Sequence, residues 1–306
     1  MKTTGLVSTL FALAAFAADA PAQDSCDRAC LTGFVDDYFD ALAAGDARSL
    51  PLARNAKITL NGRETDLAQT LWDGAGETVY RWDIVNERLG DTGTEAVVRN
   101  DDGSKTIVAL RLKVLDGAVT EVEIIRANQG DADGLWGPDT LAEVSPFLTL
   151  SIREADRDSY YGLIAAAEGY WRAFQTNGSA LYHPADLLPD SRRYENGLQT
   201  TGLVRNGEYV STAEGFDQGR FVARNLWDRR YPVVDTERGI VLSIVRFGLK
   251  DDMQSQSAAT SNDRLVAEFF AVKSGMIQEI HAVLFNLPDE EPTGWEPDYG
   301  PPRGGR

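Results

Sequence analysis

The apolar positions of the chain follow one pattern, a helix and then a set of strands, and this pattern occurs twice. In the first half, apolar side chains recur at helical spacing from Asp27 to Ala44, as on one face of an amphipathic helix. A short strand then ends at the turn Asn61-Gly62. Longer strands with turns between them are predicted at residues 80–89, 94–99, 106–115 and 119–126.

The second half repeats this order of elements. An amphipathic helix over residues 160–174 precedes a short strand that ends at Asn196-Gly197, 135 positions after Asn61-Gly62 (197 minus 62). Strands are predicted at residues 221–230, 239–247, 264–273 and 276–285. The last hairpin turns at Gly275, 158 positions after Gly117 (275 minus 117), so the second half is longer by 23 residues (158 minus 135). The extra residues fall in two polar loops, which we expect to cover the mouth of a cavity: Leu203 to Gln218 and Gly248 to Asn262.

A long helix followed by a strongly curved antiparallel sheet is a cone-shaped α+β fold, and the pattern predicts two such domains in tandem. Over residues 27–128 and 157–287, this element order resembles the nuclear transport factor 2-like superfamily, also called polyketide-cyclase-like. Enzymes of that superfamily include dehydratases, isomerases and cyclases, and other members are non-catalytic binding modules. The resemblance therefore implies a site location and no particular reaction.

The first residues have the features of a secretory signal peptide. Lys2 precedes an apolar stretch, Leu6 to Ala17, and Ala20-Pro21-Ala22 is a small-x-small cleavage signal. We therefore expect cleavage after Ala22 and a mature protein that is secreted or periplasmic. The predicted organisation is a signal peptide (1–22), a first cone-fold domain (23–129), a linker (130–156), a second cone-fold domain with the ligand cavity (157–287) and a Pro/Gly-rich tail (288–306).

The composition is that of a globular protein of 306 residues, with 43% hydrophobic and 25% charged residues. Its net charge of −17 opposes binding to phosphate backbones and to anionic lipid, so we expect no nucleic acid and no membrane partner. We expect a small-molecule substrate or ligand instead, and the sequence leaves assembly into a homo-oligomer open.

The two cysteines, Cys26 and Cys30, are four positions apart (30 minus 26), which places both on one face of a helix within reach of a disulfide. An exported protein meets an oxidising compartment, which favours that bond. A metal site would need further ligands, and the spacing is wrong for a redox Cys-x-x-Cys motif. We therefore expect a disulfide and no metal.

The last hairpin carries the most distinctive chemistry of the chain. With a two-residue turn at Ser274-Gly275, the numbers of opposed residues sum to 549, so Glu268 faces His281. A histidine oriented by a carboxylate can act as a general base, because its pKa lies near neutral pH. In the first half, the same register places Leu110 opposite Glu123, which indicates that any chemistry lies in the second half. The alternative is a solvent-facing ion pair between the two strands.

Several other polar residues are candidates for a site in the second half. His183 and Tyr182 lie in a broken region after the second helix, where they could exchange a proton with a ligand; the alternative is a surface loop. The remaining candidates would bind substrate, as arginine does when it grips a carboxylate, or would form structural ion pairs. They are Arg193, Glu195, Asn196, Arg224, Trp227 and Asp228.

The second half also resembles a set of uncharacterised secreted bacterial and fungal proteins. The matching segments are Arg193-x-Glu195-Asn196-Gly197, Arg229-Arg230-x-Pro232-Val233-Val234-Asp235, Ala267-Glu268-Phe269-Phe270 and Gly294-Trp295. In that set, a carboxylate occupies the position of His281, so the resemblance implies no shared reaction that depends on histidine.

The sequence contains no Gly-x-Ser-x-Gly motif, no phosphate-binding loop and no dinucleotide-binding glycine motif, so we expect no cofactor. Two hypotheses follow. In the first, the protein is an exported cofactor-independent lyase, dehydratase or isomerase. His281 removes a proton next to a carbonyl group, and Arg193 or Arg224 stabilises the oxyanion. In the second, the protein is a non-catalytic module that binds a hydrophobic or carbohydrate-like molecule.

Overall fold

The computed structural model of the protein describes residues 26–72, 74–132, 134–175, 185–217, 224–249, 263–287 and 293–295. The predicted signal peptide lies outside these residues, as do Tyr182, His183, nearly all of the second polar loop and most of the tail.

The first half consists of one long helix and a six-stranded sheet. Helix α1 (Arg28–Ala44) begins where the Asp27 carboxylate accepts a hydrogen bond from the Cys30 backbone N–H (2.9 Å), and Cys26 and Cys30 form a disulfide there. The strands are β1 (Leu52–Leu60), β2 (Arg63–Glu64), β3 (Ala75–Asn86), β4 (Asp91–Asn100), β5 (Lys105–Leu115) and β6 (Ala118–Ala127). They lie in the order β2-β1-β6-β5-β4-β3, and all neighbours are antiparallel except β1 and β6.

The second half has the same topology. A short helix, α2 (Pro146–Thr149), precedes the long helix α3 (Tyr160–Gln175). The following elements are β7 (Leu187–Glu195), β8 (Leu198–Thr201), β9 (Leu203–Arg205), β10 (Glu208–Val210), α4 (Thr212–Asp217), β11 (Arg224–Asp235), β12 (Ile240–Leu249), β13 (Asp263–Lys273) and β14 (Met276–Leu287). The sheet order is β11-β12-β13-β14-β7-β8, with β7 parallel to β14. The predicted fold class, two α+β cone folds with a long helix on each sheet, is confirmed, and each sheet also contains one parallel pair.

The two sheets pack face to face, with the two long helices on the outside. Helix α1 covers one face of the first sheet, and α3 covers one face of the second. The other faces of both sheets share a single apolar core, to which Trp82, Ile84, Leu242, Phe269 and Val283 contribute. The layers are therefore helix, sheet, sheet, helix, and the sheet face that points away from the helix in one half packs on the same face of the other half.

The predicted register of the last hairpin holds for two residue pairs and then fails. Val272 pairs with Ile277, but a β-bulge at Gln278 inserts one residue into β14, so Phe269 faces His281 and Glu268 faces Ala282. The predicted pair of Glu268 with His281 is therefore wrong, because a shift of one residue moves a side chain to the opposite face of the sheet.

The first half contains the same bulge. Val114 pairs with Val119, whereas Lys113 pairs with Glu121, so Thr120 is the extra residue. Arg111, and not Leu110, then faces Glu123. Thr120 and Gln278 are 158 positions apart (278 minus 120), which is the offset between the two hairpin turns. The bulge is a feature of the repeated unit.

One glycine in each half, at equivalent positions, allows two strands to approach each other closely. Gly239 follows Gly90 by 149 positions (239 minus 90), and both have positive φ (67° and 70°). The Gly90 carbonyl accepts a hydrogen bond from the Val114 N–H (2.8 Å), and the Gly239 carbonyl accepts one from the Val272 N–H (2.8 Å). A Cβ atom at Gly90 would lie 2.3 Å from the Val114 carbonyl oxygen, and one at Gly239 would lie 2.5 Å from that of Val272.

Substitution of Gly90 or Gly239 with alanine is expected to destabilise the fold more than Gly103→Ala does. At Gly103 φ is also positive, but a Cβ would meet no atom within 4 Å, so only backbone strain of about 1–2 kcal/mol applies. The steric clash at Gly90 or Gly239 adds about 1–3 kcal/mol. Urea unfolding of the three variants measures the difference, and equal losses would contradict it.

Candidate functional site

The first buried polar cluster surrounds His281 and lies between the two sheets. Alternation along β14 places Glu279 and His281 on the face that meets the first sheet, and β4 of that sheet supplies Glu95. His281 Nδ1 lies 2.7 Å from Glu95 Oε2, and its Nε2 lies 3.0 Å from Glu279 Oε1. His281 is 2% exposed, and both carboxylates are fully buried. The imidazole thus bridges the two halves of the chain through Glu95, and Glu279 of its own strand holds its other nitrogen.

The surroundings of His281 keep this arrangement fixed. The ring stacks on Tyr194 (centroids 4.6 Å apart) and meets the edge of Trp82 (5.7 Å). Trp82 Nε1 donates to Glu95 Oε2 (2.8 Å), and Arg192 Nη2 lies 2.7 Å from Glu279 Oε2. His281, its two carboxylates, Trp82 and Arg192 thus form one connected network, and Tyr194 stacks on the imidazole.

The predicted role of His281 as a general base does not fit this geometry. Burial lowers the pKa of His281, but attraction to Glu95 and hydrogen bonds to both carboxylates outweigh it and raise that pKa to about 9. At neutral pH the ring is an imidazolium whose two N–H groups are both engaged. It has no free nitrogen with which to remove a proton from a substrate, so His281 joins the two sheets instead.

The second buried polar cluster surrounds Glu268 and faces helix α3. Glu268 Oε1 accepts a hydrogen bond from Arg193 Nε (3.3 Å), and Arg193 Nη1 lies 2.6 Å from Glu195 Oε2. The Tyr170 hydroxyl on α3 lies beside the Glu268 carboxyl, but neither this hydroxyl nor Glu268 Oε2 has a well-formed hydrogen bond to a described residue. The hydroxyl and the carboxyl are thus each other's polar neighbour in this buried cluster.

Burial controls the protonation of this cluster. Loss of solvent raises the pKa of Glu268 to about 7, although Arg193 opposes the shift. Burial also raises the pKa of Tyr170 well above its usual value, so its phenol stays protonated at neutral pH. The carboxyl group, which titrates near neutral pH, can exchange a proton with a ligand. The neutral phenol beside it can donate a hydrogen bond to the same ligand.

Part of the first polar loop covers this cluster. Helix α4 places Phe216 against Tyr170 (centroids 5.5 Å apart) and Phe174 (5.1 Å). Thr212 Oγ1 at the start of α4 donates to the Ser191 carbonyl on β7 (3.1 Å). The interior next to Glu268 is thus closed on this side by aromatic side chains.

The structure places the other predicted substrate-binding residues elsewhere. Asn196 clamps the backbone of β14, because its side chain exchanges hydrogen bonds with Leu284 N–H (2.8 Å) and C=O (3.0 Å). Asn61, its counterpart, accepts a hydrogen bond from Arg126 N–H (2.8 Å), so Asn196 has a structural role common to both halves and is not a substrate ligand.

The predicted substrate-binding residues on β11 do not form a cluster beside Glu268. Trp227 packs on Arg246, on the sheet face opposite to Glu268. A bulge that includes Asp228 (φ 52°) breaks the alternation expected along this strand, which is the reason for the error. The Arg224 side chain, Tyr182 and His183 lie outside what the structure describes.

Sequence reasoning missed Tyr170 and the two carboxylates around His281. Tyr170 lies one helical turn before Phe174 and three residues after Ala167, so the helical pattern could have placed it on the apolar face of α3. Glu95 comes from the other half of the chain, and no local pattern links it to His281. Its only signal is a charged residue in a strand that is otherwise buried.

Among the residues that the structure describes, no group of three or more His, Cys, Asp or Glu side chains has a geometry that could hold a metal ion. Within the same residues, no helix has both the length and the apolar character needed to cross a membrane.

Comparison with known proteins gives a family match over part of the chain. Residues 156–284 match a family described as a domain of unknown function, DUF8021. No curated protein matches the chain.

Two solved structures have limited similarity to the chain. One is a protein of Kribbella flavida DSM 17836 that is provisionally named a ketosteroid isomerase. It is 13% identical over 47% of this chain and 85% of its own, with a TM-score of 0.29. The other is a DUF4783 family protein of Bacteroides ovatus ATCC 8483. It is 13% identical over 30% of this chain and 94% of its own, with a TM-score of 0.23. Neither similarity carries information on activity.

Proposed function

We propose that the protein is an exported, cofactor-independent lyase or isomerase in which Glu268 transfers a proton next to a carbonyl group of a small organic molecule. The observation that carries this proposal is the Glu268 carboxyl itself. It is fully buried, its pKa is raised to about 7 by burial, and its Oε2 has no well-formed hydrogen bond to a described residue. The proposal of export rests on the signal-peptide pattern of residues 1–22.

In the proposed mechanism, ionised Glu268 accepts a proton from the carbon next to the carbonyl group. Electrons of the C–H bond move toward the carbonyl oxygen, which becomes an enolate, and the Tyr170 phenol donates a hydrogen bond to it. Glu268 then returns the proton to a different carbon, which is an isomerisation. Alternatively, the enolate expels a leaving group from the next carbon and Glu268 gives its proton to that group, which is a lyase reaction. A base with a pKa near the working pH is favoured for such transfers.

Arg193 holds Glu268 in place for this step. Its guanidinium, which is 4% exposed, contacts Glu268 and Glu195 at once, so it fixes the carboxyl group and balances its charge. We assign Arg193 as a positioning residue. The sequence suggested that Arg193 stabilises the oxyanion directly, but its contacts in the structure are with the two carboxylates.

Glu268→Gln is expected to reduce proton abstraction by about 100-fold or more, since general-base catalysis contributes on that order. The assay follows deuterium exchange by proton NMR in heavy water for a panel of β,γ-unsaturated ketones, 2-oxo acids and hydroxyketones. For a compound that exchanges, the rate should rise with pH through about 7 as Glu268 ionises. Glu64→Gln, at an exposed position on β2, is the matched control and should exchange normally. Full exchange in Glu268→Gln would refute the assignment.

The alternative is a non-catalytic module that binds a small hydrophobic or carbohydrate-like molecule. The aromatic packing around Tyr170 favours this reading of the interior, since Phe174, Phe216 and Phe270 all contact that ring. A compound that raises the melting temperature of wild type and Glu268→Gln equally, with no exchange in either, would support the binding module.

A further inference from the structure

A cavity lies outside both polar clusters, between residues 147–156 and the closed end of the β13–β14 hairpin; we call it the hairpin cavity. Its volume is about 310 Å³, at the small end of the range of about 300–1,000 Å³ that is usual for ligand sites. Val272 of β13 forms one wall, and Phe147, Leu150 and Ile152 form the other. Phe147 and Leu150 are 42% and 63% exposed, so a large apolar surface is open to a ligand.

The wall formed by residues 147–156 is held in place. The Ile152 N–H donates to the Glu237 carbonyl (2.7 Å), and Ser151 Oγ donates to Glu237 Oε1 (2.6 Å). Gly239 lets this wall approach closely, because a Cβ there would lie 2.7 Å from Ile152 Cδ1. The cavity is therefore bounded by anchored backbone on this side.

The charged groups of the hairpin cavity are mostly cationic, on a chain with a net charge of −17. Arg153, Arg238 and Lys273 line it together with one carboxylate, Asp156, which pairs with Arg153 (2.5 Å). No described carboxylate lies within ion-pair distance of Arg238 or Lys273. Two positive charges of the cavity are thus without an ionic partner among the described residues.

Arg238 provides the sharpest sign of a missing partner. Its Nη1 donates to the backbone carbonyls of Asp83 (3.1 Å) and Leu148 (3.3 Å), which fixes the guanidinium. Its Nε–H is buried and has no hydrogen-bond acceptor among the described residues. The guanidinium as a whole is partly exposed and its charge has no ionic partner among the described residues, so it can attract an anion in the cavity.

The bulge in β14 adds a neutral polar group. Gln278, the extra residue in this strand, lines the hairpin cavity, and bulges commonly redirect a side chain in this way. Its amide can donate a hydrogen bond to a ligand that Arg238 and Lys273 attract.

We infer that the hairpin cavity binds a small carboxylate with an apolar body, whose carboxylate meets Arg238 and Lys273 and whose chain lies on Phe147, Leu150 and Val272. This site is separate from Glu268 and does not depend on the function proposed for it.

The test is calorimetric titration of the full chain with octanoate, and with 1-octanol and octylamine as uncharged and cationic counterparts. Octanoate is expected to bind at least about tenfold more tightly than either, because a hydrogen bond to a charged group is involved. Lys273→Met should weaken octanoate binding about fivefold, and Leu150→Asp should weaken it more than about tenfold, since it places a like charge on the apolar wall. Both positions are exposed, so both variants should fold.

Arg54→Met, at an exposed position on β1, is the matched control and should bind octanoate as wild type does. Equal affinity for octanoate and 1-octanol would overturn the inference, as would unchanged binding in both cavity variants. Loss of octanoate binding in Glu268→Gln would also overturn it, because the ligand would then occupy the interior below α3.

Discussion

Replacement of His281 with leucine is expected to lower the free energy of unfolding by about 3–5 kcal/mol at pH 7, because two buried carboxylates lose their shared cation. Glu95 and Glu279 are fully buried and lie 2.7 and 3.0 Å from the ring. Leucine fills a similar volume but donates no hydrogen bond. Chemical denaturation of both proteins, followed by circular dichroism, measures the loss.

The stability of the wild type should also depend on pH in a defined direction. The folded-state pKa of His281 is raised to about 9 from an ordinary value of 6.5. The stabilisation is therefore fully present below about pH 6.5 and is lost as pH rises through about 9. Glu268 acts in a lower window, since its raised pKa of about 7 weakens the fold as pH rises from about 4.5. His281→Leu should remove the alkaline part of this profile.

A combined variant separates an electrostatic cause from a packing cause. When Glu95→Gln and Glu279→Gln are added to His281→Leu, no buried charge is left unpaired within the triad, and most of the lost stability should return. If the combined variant is as unstable as His281→Leu, lost packing explains the effect. If His281→Leu unfolds like the wild type, the bridging role of His281 is wrong.

The order of helices and strands was predictable because it depends on local periodicity, which occurs twice in the chain. Helix α1 was expected at Asp27 to Ala44 and lies at Arg28–Ala44. The second helix and the four strands after it were also placed close to their observed positions. Such elements follow from the spacing of apolar residues, which needs no knowledge of the rest of the fold.

The candidate site was less predictable, because one inserted residue decides which face of a strand a side chain occupies. Gln278 carries no feature that marks it as a bulge. In a regular hairpin without this bulge, Glu268 would face His281. The partners of His281 depend further on how the two sheets pack, because Glu95 is 186 positions away in the chain (281 minus 95). Glu268 itself was identifiable as a carboxylate within the apolar run Val266 to Phe270.

The two halves use equivalent positions between the sheets for different chemistry. His281 is the counterpart of Glu123 (281 minus 158), and Phe269 is the counterpart of Arg111 (269 minus 158). Across the interface, Trp82 meets His281, and Arg230 meets Glu123 with contacts of 2.5 and 3.2 Å. Each contact joins one half to the other. Two charged clusters therefore hold the sheets together at related places, one centred on His281 and the other on Arg111.

Arg111→Met is accordingly expected to destabilise the fold by up to about 3–5 kcal/mol, because two buried carboxylates, Asp91 and Glu123, lose a buried cation that they share. Arg111 is 5% exposed and contacts Asp91 (3.1 Å), Glu121 (2.5 Å) and Glu123 (3.0 Å). Burial already raises the pKa of Asp91, although Arg111 and Lys113 oppose the shift. Lys113 still pairs with Asp91, and Arg230 with Glu123, in the variant, so the loss should be no larger than that of His281→Leu.

The matched control is Arg99→Met, which removes an exposed arginine from its pair with Glu77 (3.1 Å). The side chains of that pair are 51% and 70% exposed, so the loss should stay below about 1 kcal/mol. Urea unfolding at low and high salt distinguishes a buried charged network from an exposed ion pair, because salt screens exposed pairs far more than buried ones. The loss for Arg111→Met should persist in high salt. If it falls to the level of Arg99→Met, the charged network around Arg111 is a surface feature and does not hold the two sheets together.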